Sequence, residues 1–226
     1  MSCSKNKIYY ILLIFIILCL GIFIRLYHID FGLPHVTYAD EDKLGNFGIE
    51  LSYKLKGIIL TKDFFKLAPI DFVYGTFSLY LNAKIILIWK IFLSLFNKEI
   101  DFYNSYVVLR VVNSLFSTLI PISFSLLYFK IFKKKFGAFL LFFLILFNWK
   151  LIVHAHYLNA DNNLTILLAL TFLFFYKYIE KPIFKNLLLT TMFFGFSVGT
   201  KITSLISLPL FFIFILYKKQ YKHAVL

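Results

Sequence analysis

Acidic side chains in two separate stretches of the chain are the residues whose types and spacing could do chemistry. Asp40, Glu41 and Asp42 are consecutive, and Asp161 stands alone far downstream at the start of an apolar run. Carboxylates can act as general bases, and they stabilise positive charge that develops beside them. The alternative is structural, because acidic residues such as Asp40 or Asp42 also N-cap helices.

Two histidines and a lysine extend this set. His154 and His156 precede Asp161, and imidazole and carboxylate groups are plausible ligands that could join Asp40 around a divalent ion. Paired histidines also form local hydrogen bonds, and Asp161 could equally bind a sugar or an acceptor, or cap a helix that begins near residue 162. Lys201 lies in an apolar region, so it needs an anion such as phosphate, or water reached by snorkelling.

The composition places these residues in a membrane protein. The chain of 226 residues is 61% hydrophobic with a mean hydropathy of +0.82, which is more apolar surface than a soluble domain can bury. The net charge of +13 comes from lysines in short clusters between apolar runs. Such clusters are typical of cytoplasmic loops, so the charge does not indicate a nucleic-acid partner. The two cysteines, Cys3 and Cys19, indicate neither a disulfide framework nor a metal site.

The apolar runs predict an all-α, polytopic helical bundle that forms one transmembrane module over residues 1–226. The first run has lysines before it and no small-residue cleavage site after it, so we expect an uncleaved span with a cytoplasmic N-terminus. The last run is interrupted at Gly199-Thr200-Lys201, which predicts two short spans there. About six spans result, and the runs that carry them are residues 8–24, 106–129, 136–153, 164–176 and 186–217.

Residues 25–104 are predicted to form the first extracytoplasmic loop, with juxtamembrane helices inside it. Leu44, Phe47, Gly48, Leu51 and Leu55 recur at helical spacing, which suits a helix lying in the headgroup layer with its apolar side towards the lipid.

Residues 72–96 are apolar as well, but they contain Lys84 and Lys90. If this segment does not cross the bilayer, every basic cluster lies inside, as short loops prefer, and Lys84 and Lys90 stay out of hydrocarbon. We therefore expect a non-spanning segment. That topology places Asp40, Asp161 and Lys201 on one outer face.

Five segments, in this order, resemble the GT-C superfamily of glycosyltransferases, in the branch of protein O-mannosyltransferases and lipid-A aminoarabinose transferases. They are RLYHIDFGLPHVTYADED, FVYGTFSLYLNA, VLRVVNSLFSTLIPISFSLLYFKIFKKKFGAF, HAHYLNADNNLTILLAL and GFSVGTKITSLISLPLF. Members of that branch are usually several hundred residues long, so the chain resembles their N-terminal transmembrane module. Asp71 and Tyr74 stand where many relatives have a Pro-Pro-Leu pattern.

The resemblance implies an inverting enzyme of the cytoplasmic membrane that moves a sugar from a polyprenyl phosphate to a protein, lipid or glycan acceptor on the extracytoplasmic face. It maps the catalytic base onto Asp40, with Glu41 beside it. Asp161, Lys201, His156 and Arg25 are then the candidates for binding substrate. The one candidate cofactor is a divalent metal ion, and the sequence leaves open whether the enzyme needs it. The alternatives are a carrier or flippase-type protein for lipid-linked glycans, and a non-catalytic half of a larger enzyme.

Overall fold

The computed structural model describes residues 2–36, 38–61 and 75–217, and within these ranges the protein is helical, without a strand. Within these ranges, ten α-helices and one 3-10 helix, Ile202–Ser207, follow one another. In order, the α-helices are α1 (Ser2–Leu26), α2 (Ala39–Thr61), α3 (Thr76–Ser94), α4 (Phe102–Ser117), α5 (Leu119–Phe132), α6 (Lys135–Leu146), α7 (Trp149–Ala155), α8 (Ala160–Glu180), α9 (Phe184–Thr200) and α10 (Leu208–Tyr217). The predicted all-α fold class is therefore confirmed for the described part of the chain.

Several of these helices have the length and apolar character needed to cross a membrane. Among the described residues, four candidates meet both requirements, namely Ile8–Leu26, Thr76–Ser94, Phe102–Phe132 (α4 and α5 together) and Ala160–Glu180. The pair α6 and α7 makes a fifth if it counts as one span bent by 53°. Four or five candidate spans agree with a helical membrane bundle, and the expected number of about six stays a prediction.

The breaks between helices occur at polar residues. Asn148 separates α6 from α7, and its side chain accepts a hydrogen bond from the backbone N–H of Leu151 (3.2 Å), which caps the new helix. Lys201 is extended between α9 and the 3-10 helix. The interruption predicted at residues 199–201 is confirmed, whereas the bend at Asn148 was not predicted.

Helix α2 packs on protein where the sequence predicted that it would rest on lipid headgroups. Leu44 and Leu51 on its apolar side are only 1% and 3% exposed. They pack with residues of α3, and the Asn82 side-chain amide donates to the Leu44 carbonyl (3.2 Å). A helix in the headgroup layer buries its apolar side because water is excluded there, and a neighbouring apolar helix achieves the same burial. The prediction of an apolar side facing lipid is therefore wrong for α2.

The same packing shelters Lys90 of α3. Its ammonium group donates to Ser52 Oγ of α2 (2.9 Å) and lies over the ring of Tyr53, 2.9 Å from the ring centre. A cation held by a hydroxyl and an aromatic face needs no contact with hydrocarbon. The energetic cost of placing Lys90 in hydrocarbon is therefore weaker evidence against α3 crossing the bilayer than the sequence suggested.

Helix α4 contacts the α2–α3 pair and α1 at different places along its length. Leu79 and Ile86 of α3 share a core with Tyr106 and Leu109, near the start of α4. Arg25 of α1 instead contacts Ser114 and Ser117, further along the same helix. This arrangement suits α2 and α3 lying beyond the C-terminal end of α1. Length and hydropathy alone also admit Thr76–Ser94 as a span, so its non-spanning position stays a prediction, as does the extent of the loop over residues 25–104.

Gly75 marks a close approach between the start of α3 and the end of α9. Its N–H donates to the Thr200 carbonyl (2.9 Å), and a Cβ at this position would overlap the Gly199 carbonyl. We expect Gly75→Ala to lower the free energy of unfolding by about 1–3 kcal/mol, because backbone cannot move aside as a side chain can. Denaturant titration of the purified protein in detergent measures this loss. Gly195→Ala is the matched control, since a Cβ there meets nothing within 4 Å, and equal effects of the two substitutions would contradict the prediction.

Candidate functional site

Asp161 and Lys201 form an ion pair at one end of the helices. Lys201 Nζ lies 2.5 Å from Asp161 Oδ1, with the lysine and aspartate side chains 25% and 46% exposed. Asp161 belongs to the first turn of α8, and Lys201 sits in the extended break after α9. The two residues that the sequence singled out in these segments are therefore in direct contact, and both are accessible from outside.

Asp161 does not cap its own helix. Helix α8 begins at Ala160, and the capping residue is Asn159, whose side-chain oxygen accepts from the N–H of Asp161 (2.7 Å). The alternative that Asp161 caps a helix starting near residue 162 is therefore wrong. Because Asn159 supplies the cap, the Asp161 carboxylate is left to face Lys201.

Tyr38 joins this pair to the acidic cluster. Burial raises the pKa of the Tyr38 phenol, the charges of Asp40 and Asp161 raise it further, and Lys201 lowers it. All three charged groups thus act on one hydroxyl. With its pKa raised, the phenol stays protonated through and above neutral pH and can donate a hydrogen bond.

The position of Tyr38 is fixed on two sides. Its ring stacks on Tyr157 (centroids 5.3 Å apart, planes at 15°), and its oxygen accepts from the Asn159 side-chain amide (3.4 Å). Since an amide N–H only donates, the phenol proton remains available for another acceptor. Sequence reasoning missed Tyr38, although an aromatic residue two positions before the acidic cluster was a visible signal.

Asp40 and Asp42 lie in the first turn of α2, where the helix dipole favours negative charge. Asp40 is partly buried. Asp42 Oδ1 accepts from the Asn46 side chain (2.5 Å), one turn along the same helix. The helix begins at Ala39, so both acids lie inside it, and the alternative that either of them is the N-cap is wrong.

Glu41 is buried in an ion pair and is not accessible to a substrate. Its two carboxylate oxygens accept from Arg110 Nε (2.6 Å) and NH2 (2.8 Å), and both side chains are almost completely buried. The NH1 group of Arg110 also donates to the carbonyls of Ile29 (2.9 Å) and Phe31 (2.8 Å). The predicted catalytic role of Glu41 is thus not compatible with its position. Its carboxylate neutralises the arginine that fastens the segment after α1 to the start of α2.

Arg25 is equally unsuited to the substrate-binding role predicted for it. Its side chain is fully buried and donates to Ser117 Oγ (3.2 Å) and to the Gly21 carbonyl (3.0 Å). One terminal nitrogen, NH2, has no hydrogen-bond partner among the described residues. A guanidinium without exposure cannot meet a phosphate in solution or at a lipid surface, so Arg25 ties α1 to α4.

The histidines also make internal contacts. Both ring nitrogens of His156 face carbonyl oxygens, those of Ile152 (2.8 Å) and Tyr27 (2.9 Å), and His154 Nδ1 accepts from the Asn159 amide (2.8 Å). The structure therefore does not offer His156 to substrate. Within the described ranges, no group of three His, Cys, Asp or Glu residues could hold a metal ion, so the geometry lends no support to a site formed by His154, His156 and Asp161.

No known protein family, curated protein or solved structure matches the chain. The fold and the site together define a helical protein with several apolar helices of membrane-spanning length. Its polar cluster lies at the N-terminal ends of α2 and α8 and the C-terminal end of α9, and we call Tyr38, Asp40, Asp161 and Lys201 the acidic site. The resemblance to GT-C glycosyltransferases stays a prediction.

Proposed function

We propose that the protein is a membrane glycosyltransferase that moves a sugar from a polyprenyl-phosphate donor to an acceptor on the extracytoplasmic face, with inversion. The observation that supports this proposal is the acidic site itself. Two carboxylates far apart in the chain and one ammonium group act on a single phenol, and the lysine contacts one of the carboxylates. A transfer of this kind needs a base, a cation and a hydrogen-bond donor within one small region.

Asp40 is the base in this mechanism. It takes the proton from the acceptor hydroxyl or amine as the acceptor atom forms its bond to the anomeric carbon. The bond between that carbon and the phosphate oxygen breaks, and its electron pair leaves with the lipid phosphate. Glu41 cannot take this role because its side chain is completely buried.

Lys201 would stabilise the departing phosphate. In the structure its ammonium group rests on Asp161, so a phosphate would share or replace that partner. Both side chains are partly exposed, and exchange between two anions at such a position costs little because exposed ion pairs are weak. The Tyr38 phenol supplies a neutral hydrogen-bond donor beside Asp161 and Lys201.

The position of the basic turn supports an extracytoplasmic site. Lys133, in the basic segment 130–135, pairs with Glu180 at the last residue of α8 (3.5 Å). Asp161 lies in the first turn of the same helix. The acidic site and the basic turn are thus at opposite ends of one candidate span, and basic turns face the cytoplasm. This arrangement supports the part of the proposal that puts the protein in the cytoplasmic membrane with a cytoplasmic N-terminus.

The test is turnover of a lipid-linked sugar in proteoliposomes. Purified protein is reconstituted with radiolabelled polyprenyl-phosphate hexoses and pentoses and a membrane extract that supplies protein, lipid and glycan acceptors. We expect one donor to be consumed, with label in an acceptor and free polyprenyl phosphate as the second product. Movement of intact donor across the bilayer without its consumption would contradict the proposal and identify a carrier. Absence of turnover with every donor would contradict it as well.

A further inference from the structure

A concave region is lined in part by Tyr157, which stacks on Tyr38 of the acidic site. Its volume is about 550 Å³, and the side chains that line it are Tyr27, His28, Phe31, Val153, His156 and Tyr157. The lining surface is almost entirely apolar. We call this region the aromatic hollow, and its size is within the range of pockets that hold small organic ligands.

The walls of the aromatic hollow are held in place by hydrogen bonds to two backbone carbonyls. The Tyr27 carbonyl accepts from His156 Nε2 (2.9 Å), and the Phe31 carbonyl accepts from Arg110 NH1 (2.8 Å). Two lining residues of the segment after α1 are thereby fastened to α4 and to the end of α7. A ligand entering the hollow finds it already formed and does not have to order this segment.

An apolar surface leads from α1 into the hollow. Ile16, Leu20, Phe23 and Tyr27 follow one another at intervals of three or four residues, so they share one side of the helix. All four are exposed, and the N–H of Tyr27 still bonds to the Phe23 carbonyl (2.9 Å), which continues the helical path to the hollow. Because Ile8–Leu26 is the most apolar of the candidate spans, the side leading to the hollow is one that would face lipid.

We propose that the aromatic hollow binds the acyl chain of a membrane lipid. A sugar is the wrong occupant, because a sugar ring needs several hydrogen-bond partners and the lining surface is almost entirely apolar. An acyl chain needs only apolar surface, and it can enter along α1. Tyr157 in the hollow stacks on Tyr38 of the acidic site, so the chain of a lipid bound here is one aromatic ring away from that site. This inference does not depend on glycosyl transfer.

The test is photo-crosslinking in nanodiscs of phosphatidylethanolamine and phosphatidylglycerol that contain a phospholipid with a diazirine near the end of one acyl chain. After illumination and digestion, mass spectrometry locates the attached lipid. We expect label at Tyr27, Phe31 and Val153 in excess over Leu126, an exposed residue of α5 outside the hollow. Val153→Trp should fill the hollow and lower its labelling about tenfold, equivalent to ~1.4 kcal/mol of binding free energy. Leu144→Trp, at an exposed position of α6, should not.

A competition experiment needs no substitution and so does not depend on the folding of a variant. Excess unlabelled lysophospholipid should remove label from the hollow while the label at Leu126 persists. Equal labelling at the two places, or labelling that resists both the competitor and Val153→Trp, would overturn the proposal. Protection of the hollow by a free hexose instead of the lipid would also overturn it and make the hollow a sugar site. Each result is read without a transferase assay, so it is independent of the proposed reaction.

Discussion

Replacing Arg110 by Ala is expected to lower the free energy of unfolding by about 3–5 kcal/mol, because the change leaves Glu41 buried and ionised without a partner. The carboxylate of Glu41 is completely buried, and its remaining described contact is a long hydrogen bond from the Leu158 N–H (3.3 Å). The carbonyls of Ile29 and Phe31 lose their shared donor at the same time. Denaturant titration in detergent, followed by circular dichroism, measures the loss.

The control for this prediction is Lys133→Ala, which breaks an ion pair at the protein surface. Lys133 and Glu180 are 61% and 36% exposed, and such pairs contribute about 0–1 kcal/mol. A double substitution, Glu41→Leu with Arg110→Met, removes both buried charges and should recover part of the stability lost in Arg110→Ala. Similar losses in the free energy of unfolding for Arg110→Ala and Lys133→Ala would contradict the prediction that Arg110 and Glu41 form a buried ion pair.

Replacing Asp40 by Asn is expected to lower the rate of sugar transfer by about 10²–10⁴-fold, which is the usual contribution of a general base. An amide of the same shape cannot take the acceptor proton. Asp40 is partly buried in the first turn of α2, so the fold should tolerate the change. Initial rates in proteoliposomes and denaturant titration of the same preparation measure the two quantities separately.

Asp42→Asn is the matched control for Asp40→Asn. Asp42 lies in the same turn, and its carboxylate bonds to Asn46, so we expect nearly the wild-type rate from this variant. Equal rates for Asp40→Asn and the wild type would place the base elsewhere. Unfolding of Asp40→Asn under the assay conditions would instead show that this carboxylate supports the fold.

Much of the fold follows from hydropathy. The apolar runs predict the long helices because a backbone in hydrocarbon must satisfy its hydrogen bonds internally, and the polar break at Lys201 is visible in the sequence. The bend at Asn148 is harder to predict, because the flanking residues are apolar on both sides. A single asparagine in such a run can end a helix, begin another or remain inside one.

The different positions of Asp40 and Glu41 depend on the rotation of α2 about its axis. Neighbouring residues differ by about 100° around a helix, so only one of two adjacent acids can face the core. Glu41 is three residues before Leu44 and ten before Leu51, both of which are buried, so it lies on the same side as that apolar row. This spacing was available from the sequence and identifies Glu41 as the inward-facing acid. Its partner was not predictable, because nothing local links Glu41 to an arginine on α4.

The contacts of Arg110 have a consequence for how the protein is made. Glu41 leaves the ribosome 69 residues ahead of the arginine that neutralises it, which corresponds to several seconds of synthesis. Until α4 is in place, that carboxylate has to remain in water, and the carbonyls of Ile29 and Phe31 lack the donor that Arg110 supplies. We therefore expect nascent chains that stop short of α4 to be cut readily by protease between α1 and α2, and longer chains to resist cleavage.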